Sequence, residues 1–70
     1  MLNQIISKKE YENILFNTSI SISQTQEVKG SHTMEYLSDE AGKVLAYRII
    51  TAEGTTYKIT ERGVMANVKW

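Results

Sequence analysis

The sequence predicts an α+β fold, in which a short N-terminal helix packs on one face of a five-stranded antiparallel β-meander. Two observations support this prediction. Apolar residues follow the helical period once, near the N-terminus, and then alternate with polar residues along most of the remaining chain. The four glycines fall between the alternating stretches, where turns are expected.

The helix begins at a capping box formed by Ser7 and Glu10. In this motif the serine side chain accepts from a backbone N–H three residues on, and the glutamate reaches back to the N–H of the serine. Tyr11, Ile14 and Leu15 follow at the spacing of one helix face. The predicted helix is only about ten residues long, so it needs the sheet for stability.

The central hairpin sets the register of the predicted sheet. Its strands lie in the stretch 43–60 (KVLAYRIITAEGTTYKIT). A three-residue loop, 52–54, pairs Tyr57 with Ile49 and gathers the aromatic and β-branched residues on one face. A two-residue loop would shift this register by one position and separate those residues. We therefore expect the three-residue loop, with Gly54 at positive φ.

Three further stretches complete the predicted meander: 18–25, 32–37 and 64–70. Each alternates in hydropathy, which is typical of strands with one buried face. The expected core beneath the helix consists of the apolar residues that share one face in this register, namely Ile20, Ile22, Met34, Tyr36, Leu45, Tyr47, Ile49, Tyr57, Ile59, Val64, Val68 and Trp70.

Length and composition predict one small domain, spanning residues 1–70. Eight basic and eight acidic residues cancel, so the net charge favours neither a nucleic-acid-binding protein nor an acidic tail. The chain has no cysteine, which fits a cytoplasmic location. No apolar run is long enough to span a bilayer, and the N-terminus lacks the order of a secretory signal. We therefore expect a cytoplasmic protein without a membrane partner.

The sequence does not predict an enzyme. In a strand, the side chains of Ser31 and Thr33 point away from the single histidine, His32, so no nucleophile–base pair forms there. The chain lacks the clustered ligands that a metal site needs. Its acidic residues form no pair of the kind used in acid–base catalysis. We therefore expect no catalytic residues, no metal and no cofactor.

The sheet face opposite the helix is the predicted binding surface. In the expected register this outer face is unusually apolar for one left to water, and two cations, Arg48 and Lys58, lie opposite each other. The predicted binding residues on it are Leu37, Val44, Ala46, Arg48, Ile50, Lys58, Met65 and Lys69. One alternative stays open: the cations only solubilise the sheet, with their aliphatic stems lying over apolar neighbours.

These features predict a non-enzymatic protein–protein interaction or regulatory module, which forms a homodimer or binds another protein through the outer face. The layout is similar to that of many small accessory proteins of bacteria and their phages, including inhibitors that act by binding alone; layout does not fix function. The second hypothesis is weak, nonspecific binding of nucleic acid or another polyanion through Arg48, Lys58 and Lys69. Against it, the expected register leaves no tyrosine on the outer face for base stacking.

Overall fold

One short helix and a five-stranded antiparallel sheet make up the fold, which confirms the predicted fold class. The structure, a computed structural model, describes residues 3–68, apart from the side chains of Arg62 and Asn67. The elements in chain order are β1 (Gln4–Ile6), α1 (Lys8–Phe16), β2 (Ser23–Lys29), β3 (His32–Ser38), β4 (Val44–Thr51), β5 (Gly54–Ile59) and a 3₁₀ helix (Arg62–Asn67). The strands lie in the order β1-β5-β4-β3-β2. No helix in the described part of the chain is long and apolar enough to cross a membrane.

The helix begins at the predicted capping box. Ser7 Oγ accepts from the backbone N–H of Glu10 at 3.1 Å, and Glu10 Oε1 accepts from the backbone N–H of Ser7 at 3.0 Å. Tyr11 and Ile14 are buried on the inner side of the helix. The ring of Tyr11 lies 5.1 Å from that of Tyr57 on β5, so this residue joins helix and sheet.

The fifth strand of the sheet comes from the N-terminal part of the chain and not from the predicted strand 64–70. β1 precedes the helix and pairs with β5, and it supplies the fifth strand. Residues 64–67, predicted to begin the last strand (64–70), instead lie in the 3₁₀ helix Arg62–Asn67, so the meander contains only β2 to β5. Val64 and Val68 are both buried and lie four residues apart, a spacing that also fits a helical turn. Trp70, predicted in the core, lies outside the described residues.

The strand predicted over 18–25 begins later, because β2 spans Ser23–Lys29 and all of its residues are exposed. Ile20, expected in the core, precedes the strand and is exposed. Lys29 pairs with His32 across a two-residue loop. Gly30 begins this loop with a φ of +58°, the left-handed conformation that tight hairpin turns require. The tight turn therefore fixes β2 further along the chain than the alternation of isoleucine and serine indicates.

The register of the central hairpin differs from the prediction by one residue. Thr51 pairs with Gly54, so the loop has two residues rather than three. Tyr57 consequently pairs with Arg48, and the predicted pairing with Ile49 is wrong. Because side chains alternate between faces, this shift moves β5 to the opposite face relative to β4. The positive φ predicted for Gly54 is confirmed, at +142°.

Four of the predicted core residues of β3 and β4, Met34, Tyr36, Tyr47 and Ile49, lie on the face away from the helix, whereas Leu45 is in the core as predicted. Tyr36 pairs with Tyr47, and a register irregularity between Leu37 and Ser38 lets β4 contain one extra residue there. The two faces of the sheet are now defined by these pairings. The helix-side face contains Glu35, Leu37, Ala46, Arg48, Tyr57 and Ile59, and the open face contains Met34, Tyr36, Val44, Tyr47, Ile49 and Lys58.

The core lies between the helix-side face, α1 and the C-terminal segment. Its buried apolar members are Ile6, Tyr11, Ile14, Leu37, Leu45, Ala46, Ile59, Val64 and Val68. The predicted core residues Met34, Tyr36, Tyr47 and Ile49 are instead partly exposed on the open face. Apolar pattern alone does not choose between the faces, because β4 has apolar residues on both of them.

Gly54→Val is expected to lower the free energy of unfolding by roughly 1–3 kcal/mol, because a β-branched residue is strained at this positive φ. Nothing in the described structure lies within 4 Å of a Cβ built at Gly54, so the cost comes from the backbone and not from a clash. Urea denaturation measures the effect. Gly63→Ala is the control, because Gly63 has no positive φ. A loss at Gly54 no larger than that of the control would contradict this explanation.

Candidate functional site

Four of the predicted binding residues lie on the helix-side face, and three of them, Leu37, Ala46 and Arg48, are engaged within the fold. Leu37 and Ala46 are both 0% exposed, which rules them out as contacts for a partner. Arg48 is partly buried and forms an ion pair with Glu35, the residue directly opposite on β3. The predicted row in which Arg48 faces Lys58 is wrong, because the one-residue shift pairs Lys58 with Tyr47. These three residues stabilise the fold and do not form an exposed surface.

A buried polar cluster forms around the carboxylate of Glu35. Arg48 Nη2 lies 2.7 Å from Glu35 Oε2, and Gln26 Nε2 donates to the same oxygen at 3.1 Å. The hydroxyl of Tyr11 donates to Glu35 Oε1 at 3.0 Å. The guanidinium carbon of Arg48 also lies 5.8 Å from the centroid of the Tyr11 ring, within the range of a cation–π contact. The cluster thus links α1, β2, β3 and β4.

The ionisation of this cluster suits a structural role. Burial alone would raise the pKa of Glu35, but hydrogen bonds from Gln26, Arg48 and other neighbours outweigh burial and hold this pKa below its ordinary value. Burial and then the hydrogen bond to Glu35 raise the pKa of Tyr11, so its hydroxyl stays protonated and donates. Glu35 is therefore a fixed anion at neutral pH, with no proton to give a substrate.

The open face of the sheet is apolar at its centre. Met34, Tyr36, Val44, Tyr47 and Ile49 line a groove of about 800 Å³, with polar residues at one end. Two cross-strand pairs form its floor. Tyr36 pairs with Tyr47, with ring centroids 6.4 Å apart, and Met34 pairs with Ile49. Each such row of residues paired across neighbouring strands is called a rung, and these two rungs are adjacent on the open face. These side chains are all partly exposed, so they are available to a partner.

Polar groups at one end of the groove are satisfied within the chain. The hydroxyl of Tyr47 donates to Asn3 Oδ1 at 3.1 Å. Lys43 Nζ lies 2.5 Å from Glu61 Oε1, in an ion pair that is about half exposed. This end of the groove therefore contributes little net charge, and recognition there depends on shape and apolar contact.

Charged residues lie at both sides of the open face. Lys58 lies on β5 beside Tyr47, is partly buried, and makes no ion pair with any described residue. Glu27 lies on β2, on the face of its pairing partner Met34, and forms an exposed ion pair of 3.7 Å with Lys29. The open face is therefore apolar at its centre, with the cation Lys58 at one side and the exposed Glu27–Lys29 ion pair at the other.

The structure brings only two of the predicted binding residues to this face, Val44 and Lys58. Ile50 lies on the helix-side face, where it pairs with Thr33 and Thr55, and is partly exposed. Met65 is partly buried against the core. Lys69 lies outside the described residues.

The sequence analysis missed Met34, Tyr36, Tyr47 and Ile49 as surface residues, because it assigned them to the core. One signal could have placed them. A glutamate, Glu35, stands between apolar neighbours on one strand. The adjacent strand contains an arginine, Arg48, which can lie opposite this glutamate on the same face of the sheet. An opposite-charge pair of this kind is stabilising when the two residues face each other across strands. Pairing Glu35 with Arg48 would have given the correct register between β3 and β4.

No cluster of three or more side chains suited to binding a metal occurs within residues 3–68. The chain has no significant match to a protein-family model, to a curated protein sequence or to a solved structure. Its function is therefore inferred from the geometry of the open face.

Proposed function

We propose that the chain is a non-enzymatic protein-interaction module that self-associates through its open face. The observation that supports this proposal is the uncovered apolar floor of the groove, the pairs Tyr36–Tyr47 and Met34–Ile49. An antiparallel sheet with one face in water normally has polar residues on that face. Contiguous apolar surface at the centre of such a face is typical of an interaction site.

A second copy of the chain is the partner that fits this face best. A domain of 70 residues without cysteine has a small core and no disulfide to support it. A second sheet packed on the open face would supply the missing layer, as in sandwiches whose two inner faces interdigitate. Twofold association also needs a self-complementary patch, and an apolar centre with the unpaired cation Lys58 at one side and the weakly paired carboxylate of Glu27 at the other meets that condition.

Ile49→Lys is expected to weaken self-association at least about 30-fold, because it removes a large apolar contact and places a cation in the interface. Sedimentation equilibrium measures the dissociation constant, and circular dichroism checks that the variant is folded. Val28→Lys is the matched control. Val28 is 75% exposed on the same sheet, but its pairing with Thr33 places it on the helix-side face.

The native protein should be dimeric at high concentration, as should Val28→Lys, while Ile49→Lys should be monomeric. A native protein that stays monomeric at millimolar concentration would contradict the proposal. So would an Ile49→Lys variant that dimerises as well as the control.

Single-stranded nucleic acid is the second candidate ligand, and one observation favours it. Tyr36 and Tyr47 lie on the open face with Lys58 beside them, an arrangement that could stack bases and contact a phosphate. Two of the three cations in the original hypothesis do not support it, since Arg48 is engaged by Glu35 and Lys69 lies outside the described residues. Of these three cations, only Lys58 is left to contact a phosphate. The support for this candidate is therefore weaker than the support for self-association.

Nucleic-acid binding of this kind should be weak and should fall steeply with salt. Fluorescence anisotropy of a labelled oligothymidylate, titrated at low and at moderate salt, tests it. Tyr36→Ala should then weaken binding at least about fivefold, since one stacked base contributes roughly 1–3 kcal/mol. No binding at low salt would exclude this candidate.

A further inference from the structure

We propose that the dimer is a sandwich of two sheets, related by a twofold axis that runs parallel to the strands between β3 and β4. In this arrangement Lys58 of each copy lies over the β2 strand of the other, opposite Thr25, and reaches along that strand to pair with Glu27, one rung away. The inference deepens the proposed function and rests on it, since it specifies how the second copy sits on the open face.

The pairings of the sheet fix where the axis must lie. The floor of the groove is two rungs across β4 and β3, so its centre lies between those strands. Lys58 is one strand beyond the floor on one side, in the rung of Tyr47. Glu27 is one strand beyond it on the other side, in the rung of Met34. The two charges are therefore equally far from the centre of the groove in the direction across the strands.

Two sheets that pack face to face lie about 10 Å apart with their strands nearly aligned. A twofold axis between them can run along the strands or across them. An axis along the strands places β4 over the partner's β3, and β5 over the partner's β2. Tyr47 then contacts the partner's Tyr36, and Ile49 contacts the partner's Met34. Both apolar rungs are buried against their counterparts.

Charge distinguishes the two axes. An axis along the strands keeps each residue at the level of its own rung, so each Lys58 lies opposite the partner's Thr25, and the partner's Glu27 is about 7 Å further along β2. The long side chains of lysine and glutamate span this offset, so each Lys58 can pair with the partner's Glu27. With the axis across the strands, β5 lies over the partner's β5, and both copies of Lys58 meet at one side while both copies of Glu27 meet at the other. Like charges juxtaposed in an interface oppose association. The axis along the strands is therefore favoured.

Both charges are available for this contact. Lys58 is partly buried in an apolar face and has no ion-pair partner among residues 3–68, so a carboxylate from the second copy compensates it. Glu27 is paired only with Lys29, at 3.7 Å and with both side chains about half exposed. Surface pairs of this kind contribute little stability, so Glu27 can exchange one cation for the other.

Cysteine cross-linking tests the arrangement, because the native chain has no cysteine and therefore no background reaction. Glu27→Cys and Lys58→Cys are prepared separately and mixed at a concentration where sedimentation shows dimer. A bis-maleimide spanning about 10 Å, the spacing of packed sheets, is then added. Covalent dimers are expected from the mixture, joined between positions 27 and 58, and not from either variant alone. Cross-linking of Lys58→Cys to itself would overturn the proposal and indicate the axis across the strands.

Charge reversal gives a second test that needs no cross-linker. Lys58→Glu and Glu27→Lys should each weaken the dimer roughly fivefold, and the double variant should restore it, because a surface ion pair contributes up to about 1 kcal/mol. A dimer that depends on Ile49 but shows neither the 27–58 cross-link nor this rescue would overturn the arrangement alone and leave self-association through the open face intact. A native protein that is monomeric would overturn both.

Discussion

Replacing Arg48 by methionine is expected to unfold most of the protein at neutral pH. The change leaves the carboxylate of Glu35 buried and charged without its counter-ion, which lies 2.7 Å away in the native protein. Removing one partner of a buried ion pair costs roughly 3–5 kcal/mol. A domain of this size has a total stability of about 5 kcal/mol, so little would remain. Circular dichroism and urea denaturation measure the loss.

The pH dependence of this variant should differ in sign from that of the native protein. Hydrogen bonds hold the pKa of Glu35 below its ordinary value, so the native cluster stabilises the fold above that ordinary value and loses its effect as the pH falls through the folded pKa. In Arg48→Met, burial acts on the same carboxyl against fewer hydrogen bonds, and its pKa should rise. The variant should therefore gain stability as the pH falls from about 7 to about 4.5, near the ordinary pKa of a glutamate.

Lys43→Met is the control for this experiment. Lys43 also forms an ion pair, with Glu61, but both of those side chains are about half exposed. Exposed pairs contribute at most about 1 kcal/mol, so this variant should stay folded. An Arg48→Met variant as stable as Lys43→Met at pH 7 would show that Glu35 does not need its counter-ion.

The second large effect is expected at Leu37, which is 0% exposed in the core. Leu37→Ala should lower the free energy of unfolding by roughly 2–5 kcal/mol, because it removes apolar contacts and leaves a cavity. Met34→Ala is the matched comparison, on the same strand but on the open face. Measured at micromolar protein, where the proposed dimer would dissociate, it should cost less than about 1 kcal/mol, since a partly exposed side chain loses less burial.

This pair of variants also tests the register. The register predicted from the sequence places Met34 in the core and Leu37 on the outer face, and so predicts the opposite order of effects. A larger loss for Met34→Ala than for Leu37→Ala would mean that the faces of β3 are assigned incorrectly.

The parts of the fold that depend on sequence neighbours could be predicted. The capping box of Ser7 and Glu10 acts over three residues, and it placed the start of the helix correctly. The alternation of apolar residues and the positions of the glycines gave the antiparallel sheet and the positive φ of Gly54. Each of these signals is complete within a few residues of the chain.

The register could not be predicted, because it depends on contacts between distant residues. β4 has apolar residues of both parities, Ala46 and Ile50 on one face and Tyr47 and Ile49 on the other, so its pattern fits either face. The buried pair of Glu35 and Arg48 favours one face, and its members lie 13 residues apart in the chain.

The position of the candidate site could not be predicted for the same reason. The sequence indicated that one sheet face is more apolar than a solvated face should be, and it placed that face on the side that contains Leu37 and Ala46. Both residues are buried, so the apolar surface open to a partner is the one beside Tyr36 and Tyr47. A shift of one residue was enough to exchange the two faces.

A dilution series followed by methyl NMR spectroscopy tests the central claim most directly, since it locates self-association on one face of the sheet. On dilution from millimolar to micromolar protein, the methyl signals of Met34, Val44 and Ile49 should shift, because these groups line the open groove. Those of Ile14 and Leu37, both 0% exposed, should stay in place. Shifts confined to the helix side, or signals that do not change with concentration, would contradict self-association through the open face.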